Sequence, residues 1–527
     1  MKKYLAEYRG LMISLGVFVV MVHGSKLGSG IVGIDTEDII RLQGDFYTGW
    51  MQSGRQGLVL IKRLLGTFDF NPYFAGGMTL ALLWAAVLAF LSLWDSVWKE
   101  ASQRQGTSQR QNVSPKQESA AWGKVVGGFV WISHPVLTEQ LYFSLQSVEI
   151  CMGLLFTALA LHLARRGIQK RHKGYIASCF LLLLLILSLY QIFVVVYVFG
   201  VLSMLVLEFA GGLARDEKSG CAQIWKSVLS HGGLFLAAFS VNMVITGLFF
   251  NAGAAYLSGQ IQWGRISIKE GFLRILDHGF KVCTGFHSLY FNAGFGLLAL
   301  AVVCLAVRKV WKHRRDLYGL LWLLMTAALL STPFWMTFLC AGAPVVRSQL
   351  VLPAVTCFMA YLVDRMGDGT RKAVAKNWMV MAAVLVSAIV ILCQVQTTLR
   401  LYYTDACRYE QDAVLGREII YAADNIGSGD SLVVIGSRPF SPNNACVVGE
   451  TVGHSFFDFD TGVEPQCYWS TRRAVGFLHI LGYNIGHASR EACLDAVADS
   501  AGKPVFPQEG SVWRMGDVVV VKLSDCL

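Results

Sequence analysis

The chain has 527 residues, 54% of them hydrophobic and 15% charged, with a mean hydropathy of +0.49. Soluble domains carry about 25% charged residues, so the composition points to a polytopic membrane protein. The 45 lysines and arginines against 35 acids give a net charge of +10, but these cations lie between apolar runs, which excludes a basic nucleic-acid patch, a disordered tail and a secreted disulfide scaffold.

A bilayer core takes about 20 apolar residues per helix. Such runs fall near residues 8–23, 72–94, 121–134, 148–164, 175–190, 192–209, 230–250, 289–307, 317–338, 348–363 and 377–394. They predict a mainly α polytopic protein with about 11 transmembrane helices. The first run is followed by His23-Gly24-Ser25-Lys26 instead of a small-residue cleavage site, so it reads as a retained span. With the N-terminus cytoplasmic, every short inner link is basic, among them Arg165-Arg166 with Lys170-Arg171, and Arg308-Lys309 with Arg314-Arg315. Reading the fifth and sixth runs as a tight outward hairpin at Tyr190-Gln191 keeps their basic neighbours on one side. The outer face then receives residues 23–71, 134–147, 251–288 and the tail. The Gln/Ser-rich stretch 100–119 is a polar linker with no catalytic role.

Residues 1–395 therefore form the transmembrane domain, and 396–527 form a small extracytoplasmic α/β domain. Within it, 397–424 shows helical spacing, Ser431–Gly436 reads as a strand, Arg490–Ala498 as a short helix and Asp517–Leu523 as a strand. Five cysteines (Cys407, Cys446, Cys467, Cys493, Cys526) lie in the tail. The odd count blocks full pairing, and Cys446 to Cys467 is one candidate bridge.

Few charges lie inside the spans: Glu149, Glu208 and His162 are all close to a predicted end, which weighs against an ion-coupled transporter. The first outer loop is different. Asp35-Thr36-Glu37-Asp38-Ile39-Ile40-Arg41 places three carboxylates and an arginine just beyond the first span. Read as structure alone, Asp35 caps a helix whose dipole Glu37 and Asp38 favour.

This segment, Gly54-Arg55, the loop His134-Pro135 to Ser147 with Glu139-Gln140, the Tyr190-Gln191 hairpin, and Ala343-Pro344 with Val346-Arg347 together resemble the GtrII-type bacterial glucosyltransferases, the O-antigen serotype-converting enzymes, over residues 1 to about 395. The resemblance implies a membrane glycosyltransferase of the GT-C class, with catalytic outer loops, that takes a hexose, glucose, from a polyprenyl phosphate at the outer face. Its acceptor would be an extracytoplasmic cell-surface glycan in bacteria, with the protein multi-pass in the cytoplasmic membrane. The family's two adjacent acids followed by Arg match Glu37-Asp38 and Arg41; here the first acid is Glu and Asp35 is additional.

Such a donor already has a good leaving group, so transfer needs mainly a base on the acceptor hydroxyl and cations on the departing phosphate. The base is Asp38 or Glu37, with Asp35 third. Arg41, Arg55 and Arg347 are phosphate candidates, since a guanidinium presents a fixed fork of donors; each also reads as a loop or helix-end pairing group. Glu139 and Gln140 are placed to hydrogen-bond sugar hydroxyls or to cap a helix, and Tyr190 and Gln191 to bind substrate or satisfy a turn. Trp50, Trp263 and Trp335 read as interface-belt anchors. No histidine pair has zinc spacing. A lipid monophosphate sugar offers Mg²⁺ no diphosphate to chelate, so no metal or other cofactor is expected. No nucleic-acid partner is expected either. The alternatives are a flippase for the lipid-linked sugar, a GT-C transferase with another sugar or a protein acceptor, or a scaffold displaying the tail.

Overall fold

The computed structural model describes residues 2–28, 30–106, 122–212, 217–250, 259–312, 317–366, 378–424, 426–449, 453–463 and 466–525. Most of the linker and the start of the 251–288 loop thus lie outside the described residues. The chain is mainly helical with one small sheet.

The long helices are α1 (Lys2–His23), α6 (Pro72–Gly106), α7 (Trp122–Ser133), α9 (Ser144–Lys170), α10 (Lys173–Leu187), α11 (Phe193–Gly212), α12 (Glu217–Phe249), α14 (Gly294–Lys312), α15 (Leu317–Ser331), α17 (Val351–Met366) and α18 (Trp378–Ala422). Each predicted apolar run falls on one of these. Among the described residues, six stretches are long and apolar enough to cross a membrane: Pro72–Gln103, Ser144–Lys170, Phe193–Ala210, Trp225–Phe249, Gly319–Cys340 and Val384–Ala422. Shorter apolar helices cover Tyr8–His23, Lys173–Leu187 and Gly294–Arg308. The chain breaks between α10 and α11 at the expected Tyr190-Gln191 position.

Local chemistry sets the boundaries. Pro72 opens α6, where a missing N–H costs nothing, and Asn71 Oδ1 accepts from the amides of Tyr73 and Phe74 at 3.0 Å. At the bundle centre, α17 is buried on every side from Val351 to Asp364. α7 approaches it through Gly123 and Gly127: a methyl group at Gly127 would stand 2.8 Å from the Cys357 carbonyl oxygen, so the spacing of small residues permits backbone contact. Trp94, Trp131, Phe199 and Phe358 stack and cross beside this contact, with Trp94 Nε1 donating to Ser203 Oγ at 2.9 Å.

Asp95, one residue past the predicted end of the second span, is fully buried. It accepts from Tyr8 and pairs with Lys124 and Arg365, each at 2.7 Å, and with Lys99 at 3.1 Å. One carboxylate so fastens α1, α6, α7 and α17, about 34 Å along α6 from Pro72. Farther up, Glu149 of α9 is buried against Lys62 at 3.0 Å.

Short helices α2 (Ser25–Gly28), α3 (Thr36–Arg41), α4 (Gln43–Gln52) and α5 (Gln56–Leu64) fold over the Pro72 end of the bundle, followed later in the chain by α8 (Val136–Tyr142), α13 (Ile268–Thr284) and α16 (Trp335–Cys340). Trp50 is not a belt anchor: it is buried between Phe46, Tyr47 and the bundle core.

The tail carries a four-stranded sheet in the order β2-β1-β4-β3. β1 (Ser431–Ile435) is parallel to β2 (Gly486–His487) and β4 (Val518–Lys522), and β3 (Val512–Met515) is antiparallel to β4. Helices α19 (Tyr468–Ile480) and α20 (Arg490–Asp499) accompany it. The boundary set at residue 395 falls within α18, which runs unbroken for 45 residues. The expected last span and first tail helix are one rod: no Pro falls within 378–422, and its one glycine, Gly416, stays helical against Leu478 and Leu481. Cys446 is exposed and Cys467 buried, and both are free thiols, so the candidate bridge is absent. Val32 and Ile34 of the first loop enter the tail core beside Ile419, Phe456 and Phe477, which anchors the acidic segment to the tail.

Candidate active site

α3 starts from Asp35, whose backbone is left-handed at φ 73°, a conformation that Asp adopts more readily than most residues. Its carboxylate makes no helix cap, contrary to the sequence expectation; it turns to Arg473 of α19, 3.0 Å away. Arg473 Nη1 also lies 2.6 Å from Glu37 Oε1 and 3.5 Å from Asp38 Oδ2, while its Nε donates to Asp460 Oδ2 at 2.8 Å. Arg472 Nε donates to Asp38 Oδ1 at 3.2 Å. Four carboxylates thus converge on two adjacent guanidinium groups, and the half-buried Arg41 lies within electrostatic reach of Glu37, Asp38 and Arg472.

The approach of α19 to α3 depends on Gly476. A methyl group there would stand 2.7 Å from Glu37 Cγ, so any larger residue would push the helices apart. The apolar face of α19, with Ala474, Val475, Phe477 and Leu478 fully buried, turns its arginines towards the acids.

Burial pushes the Glu37 carboxyl up to about 8; Asp35 and Asp38 add to the shift and Arg473 opposes it. Burial also works against the charge on Arg473, but Glu37 and Asp35 outweigh it and hold the guanidinium more firmly protonated than usual. Burial lowers Arg41, helped by Arg472 and opposed by Asp38 and Glu37. His487 of β2 is likewise held low by burial, then by Arg41 and Arg472, so a neutral imidazole faces the cluster.

A second group forms where α8 meets the short helical turn Val346–Ser348. Glu139 accepts from the Arg347 backbone amide at 3.1 Å and from Arg347 Nη1 at 3.0 Å, and the guanidinium stands 4.4 Å over the Phe143 ring. Two residues assigned separate substrate contacts from sequence are therefore paired. Gln140 and Ser144 are buried, and their side-chain polar atoms find no hydrogen-bond partner among the described residues. Tyr142 ties this group to the acidic loop: its hydroxyl donates to the Val32 carbonyl at 3.2 Å and accepts from Arg408 Nη2 at 2.6 Å. Arg408, fully buried on α18, also holds Asp405 and Asp412.

Arg55, Tyr190 and Gln191 form a third group. The Arg55 guanidinium lies 4.8 Å over the Tyr190 ring, and Gln191 Nε2 donates to the Ser53 carbonyl at 3.1 Å. The α10–α11 hairpin is thereby fastened to the turn between α4 and α5.

Arg472, Arg473, Asp460 and Gly476 escaped the sequence reading, in which His487 figured only as half of a histidine pair, His479 and His487, without zinc spacing. The usable signal was the helical spacing of apolar residues across 468–480 with two adjacent arginines, a pattern that fixes a helix but not its neighbour. Among the described residues no group of three or more His, Cys, Asp or Glu is arranged to hold a metal ion.

The acids can accept protons and the arginines can neutralise phosphate, which is the equipment for transfer from a phosphate-linked donor. No individually curated protein matches the chain. Residues 32–363, which include the acidic loop, the Glu139–Arg347 pair and the Tyr190 hairpin, match the family model described as glucosyl transferase GtrII, and the chain belongs to that family.

Proposed function

We propose that this protein is an integral membrane glycosyltransferase of the GT-C class that moves glucose from polyprenyl-phosphate glucose to an extracytoplasmic glycan. It would span the bacterial cytoplasmic membrane about eleven times, with its N-terminus inside and the tail outside, in keeping with the basic short inner links. The observation that carries the reading is the convergence of Asp35, Glu37 and Asp38, all in the family-matched segment, on Arg473 of the tail, with Arg41 in electrostatic reach of Glu37 and Asp38.

Asp38 is the base. Glu37 is enclosed and holds its proton at neutral pH, whereas Asp38 keeps an edge exposed and is oriented by Arg472. The acceptor hydroxyl passes its proton to Asp38 as its oxygen bonds to the sugar anomeric carbon. The bond from that carbon to the phosphate oxygen breaks, its electron pair leaving with polyprenyl phosphate. Arg41, Arg55 and Arg347 supply cations for the phosphate, and Gln140 offers an unpartnered amide for a sugar hydroxyl. Glu139 sets the Arg347 fork, and Tyr190 and Gln191 hold Arg55 and its turn. No metal is required, because the guanidinium groups carry the countercharge.

The test is transfer of labelled glucose from synthetic polyprenyl-phosphate glucose in proteoliposomes. Asp38→Asn should lose roughly 10²–10⁴-fold in rate while still binding donor. Undiminished transfer by Asp38→Asn would remove the assignment, and donor crossing the bilayer unconsumed would favour the flippase.

A further inference from the structure

Helix α13 carries Lys269, Glu270, Arg274, Asp277 and Lys281 within 17 residues, too many charges for a span. Its ends are nevertheless well defined: Ser267 caps the start by accepting from the Glu270 amide at 3.2 Å, and Gly285 at φ 73° closes the other end. At 100° per residue the helix divides into three faces. Gly271, Ile275, His278 and Val282 are buried against α14 and α16, with His278 Nδ1 bonded to Thr337 Oγ1 at 2.9 Å. Glu270, Asp277, Arg274 and Lys281 line a second face as two i,i+4 ion pairs. The third face presents Ile268, Phe272, Leu273, Leu276 and Phe280, each more than half exposed, with Lys269 among them in the first turn, where its stem can run along the apolar surface and its ammonium reach water.

A helix that packs one side, pairs four charges on another and leaves five large apolar side chains bare has an unfilled contact. The apolar face does not end at the helix. Trp263 Nε1 donates to the Phe338 carbonyl at 2.7 Å, and its ring meets Phe272 edge-on with centroids 6.0 Å apart. Trp263 so joins the apolar face of α13 to exposed Phe338 and Leu339, at the end of the candidate span Gly319–Cys340. The apolar surface of that span and of α14, with Leu297, Leu300 and Val307 exposed, therefore continues onto α13.

We propose that α13 lies in the bilayer interface, with the Phe272–Leu276–Phe280 face in the headgroup and acyl boundary of one leaflet and the ion-paired face turned to water. Such helices bury their apolar face about 5–10 Å below the headgroups. The proposal goes beyond the transferase reading and does not depend on it. It has a consequence for the site: α16 ends at Cys340, seven residues before Arg347, so a helix anchored at a fixed depth also fixes the height of the Arg347–Glu139 pair above the lipid.

The experiment installs the photo-crosslinker p-benzoylphenylalanine singly at positions 272, 276, 280 and 277 of the full chain, reconstituted in vesicles of labelled phosphatidylethanolamine and phosphatidylglycerol. All four positions are exposed, so the buried face of the helix is left intact; the replacement at 277 gives up only the surface pair with Lys281, and that at 272 keeps an aromatic ring beside Trp263. Lipid adducts at 272, 276 and 280 should exceed those at 277 by at least about five-fold, as expected for a helix with one immersed face. Adducts to a second copy or another protein at the three apolar positions, or equal lipid labelling at all four, would overturn the proposal.

Discussion

Raising the pH from 7 to 9 separates the two adjacent candidate bases. The Glu37 carboxyl is pushed to about 8 by burial, so about one-tenth of it is ionised at pH 7 and about nine-tenths at pH 9. Were Glu37 the base, kcat/KM for glucose transfer would climb about nine-fold across that interval with a midpoint near 8. A step with that midpoint is the mark of Glu37 alone, and its absence removes Glu37 from the role. The same shift has a stability counterpart. A carboxyl whose folded value stands above its ordinary 4.5 favours the fold fully below that ordinary value and loses the contribution as pH rises to about 8. Over 3.5 units at about 1.4 kcal/mol each, the loss is roughly 5 kcal/mol for this fully enclosed side chain. Glu37→Gln should remove it, so the unfolding midpoint of the wild type should fall between pH 6 and 9 while that of the variant stays nearly level. The assays are a pH profile of labelled glucose transfer in proteoliposomes and thermal unfolding in detergent. A nine-fold rate step that vanishes in Glu37→Gln would refute the assignment of Asp38, and parallel pH dependence of the two unfolding midpoints would refute the buried-acid reasoning.

Arg473→Ala leaves Asp35, Glu37, Asp38 and Asp460 without their shared cation; it should cost about 3–5 kcal/mol in attachment of the tail, read as faster proteolysis there, with Arg473→Lys restoring part of the loss. Gly476→Ala sets a methyl against Glu37 and should lower stability by about 1–3 kcal/mol in thermal unfolding. Arg347→Ala should raise KM for the lipid donor more than it lowers kcat, because it removes a phosphate contact and the guanidinium that Glu139 holds in place. Transfer should be unaffected by EDTA, since arginines carry the countercharge; loss of activity restored by Mg²⁺ would contradict this.

The helices could be read in the sequence because an apolar run of about 20 residues is a local signal. The acidic loop was legible for the same reason: Asp35, Glu37 and Asp38 are neighbours in the chain. Their partner was not, for Arg473 stands 436 positions from Glu37, and nothing in the spacing of either segment names the other. The tail strands at 431–435 and 518–522 announced themselves by valine content, whereas the edge strand 512–515, with mixed composition, did not, and the helical spacing across 468–480 carried no sign of what the helix packs against. Asp95 illustrates a different limit. It looked like a residue outside a span, yet two cations and a tyrosine from other helices, with Lys99 one turn along its own, surround it and it is fully buried.

The unbroken α18 makes the tail and the bilayer parts of one lever. At 1.5 Å per residue its 45 residues extend about 67 Å, of which about 40 Å lie beyond residue 395. A tilt of about 4° in the lipid-embedded half moves the far end by about 3 Å if the rod stays straight. That displacement is as large as the 2.6 Å contact between Arg473 and Glu37. A change in membrane thickness that tilts this helix would therefore be felt at the acids as a change in which carboxylate the arginine holds.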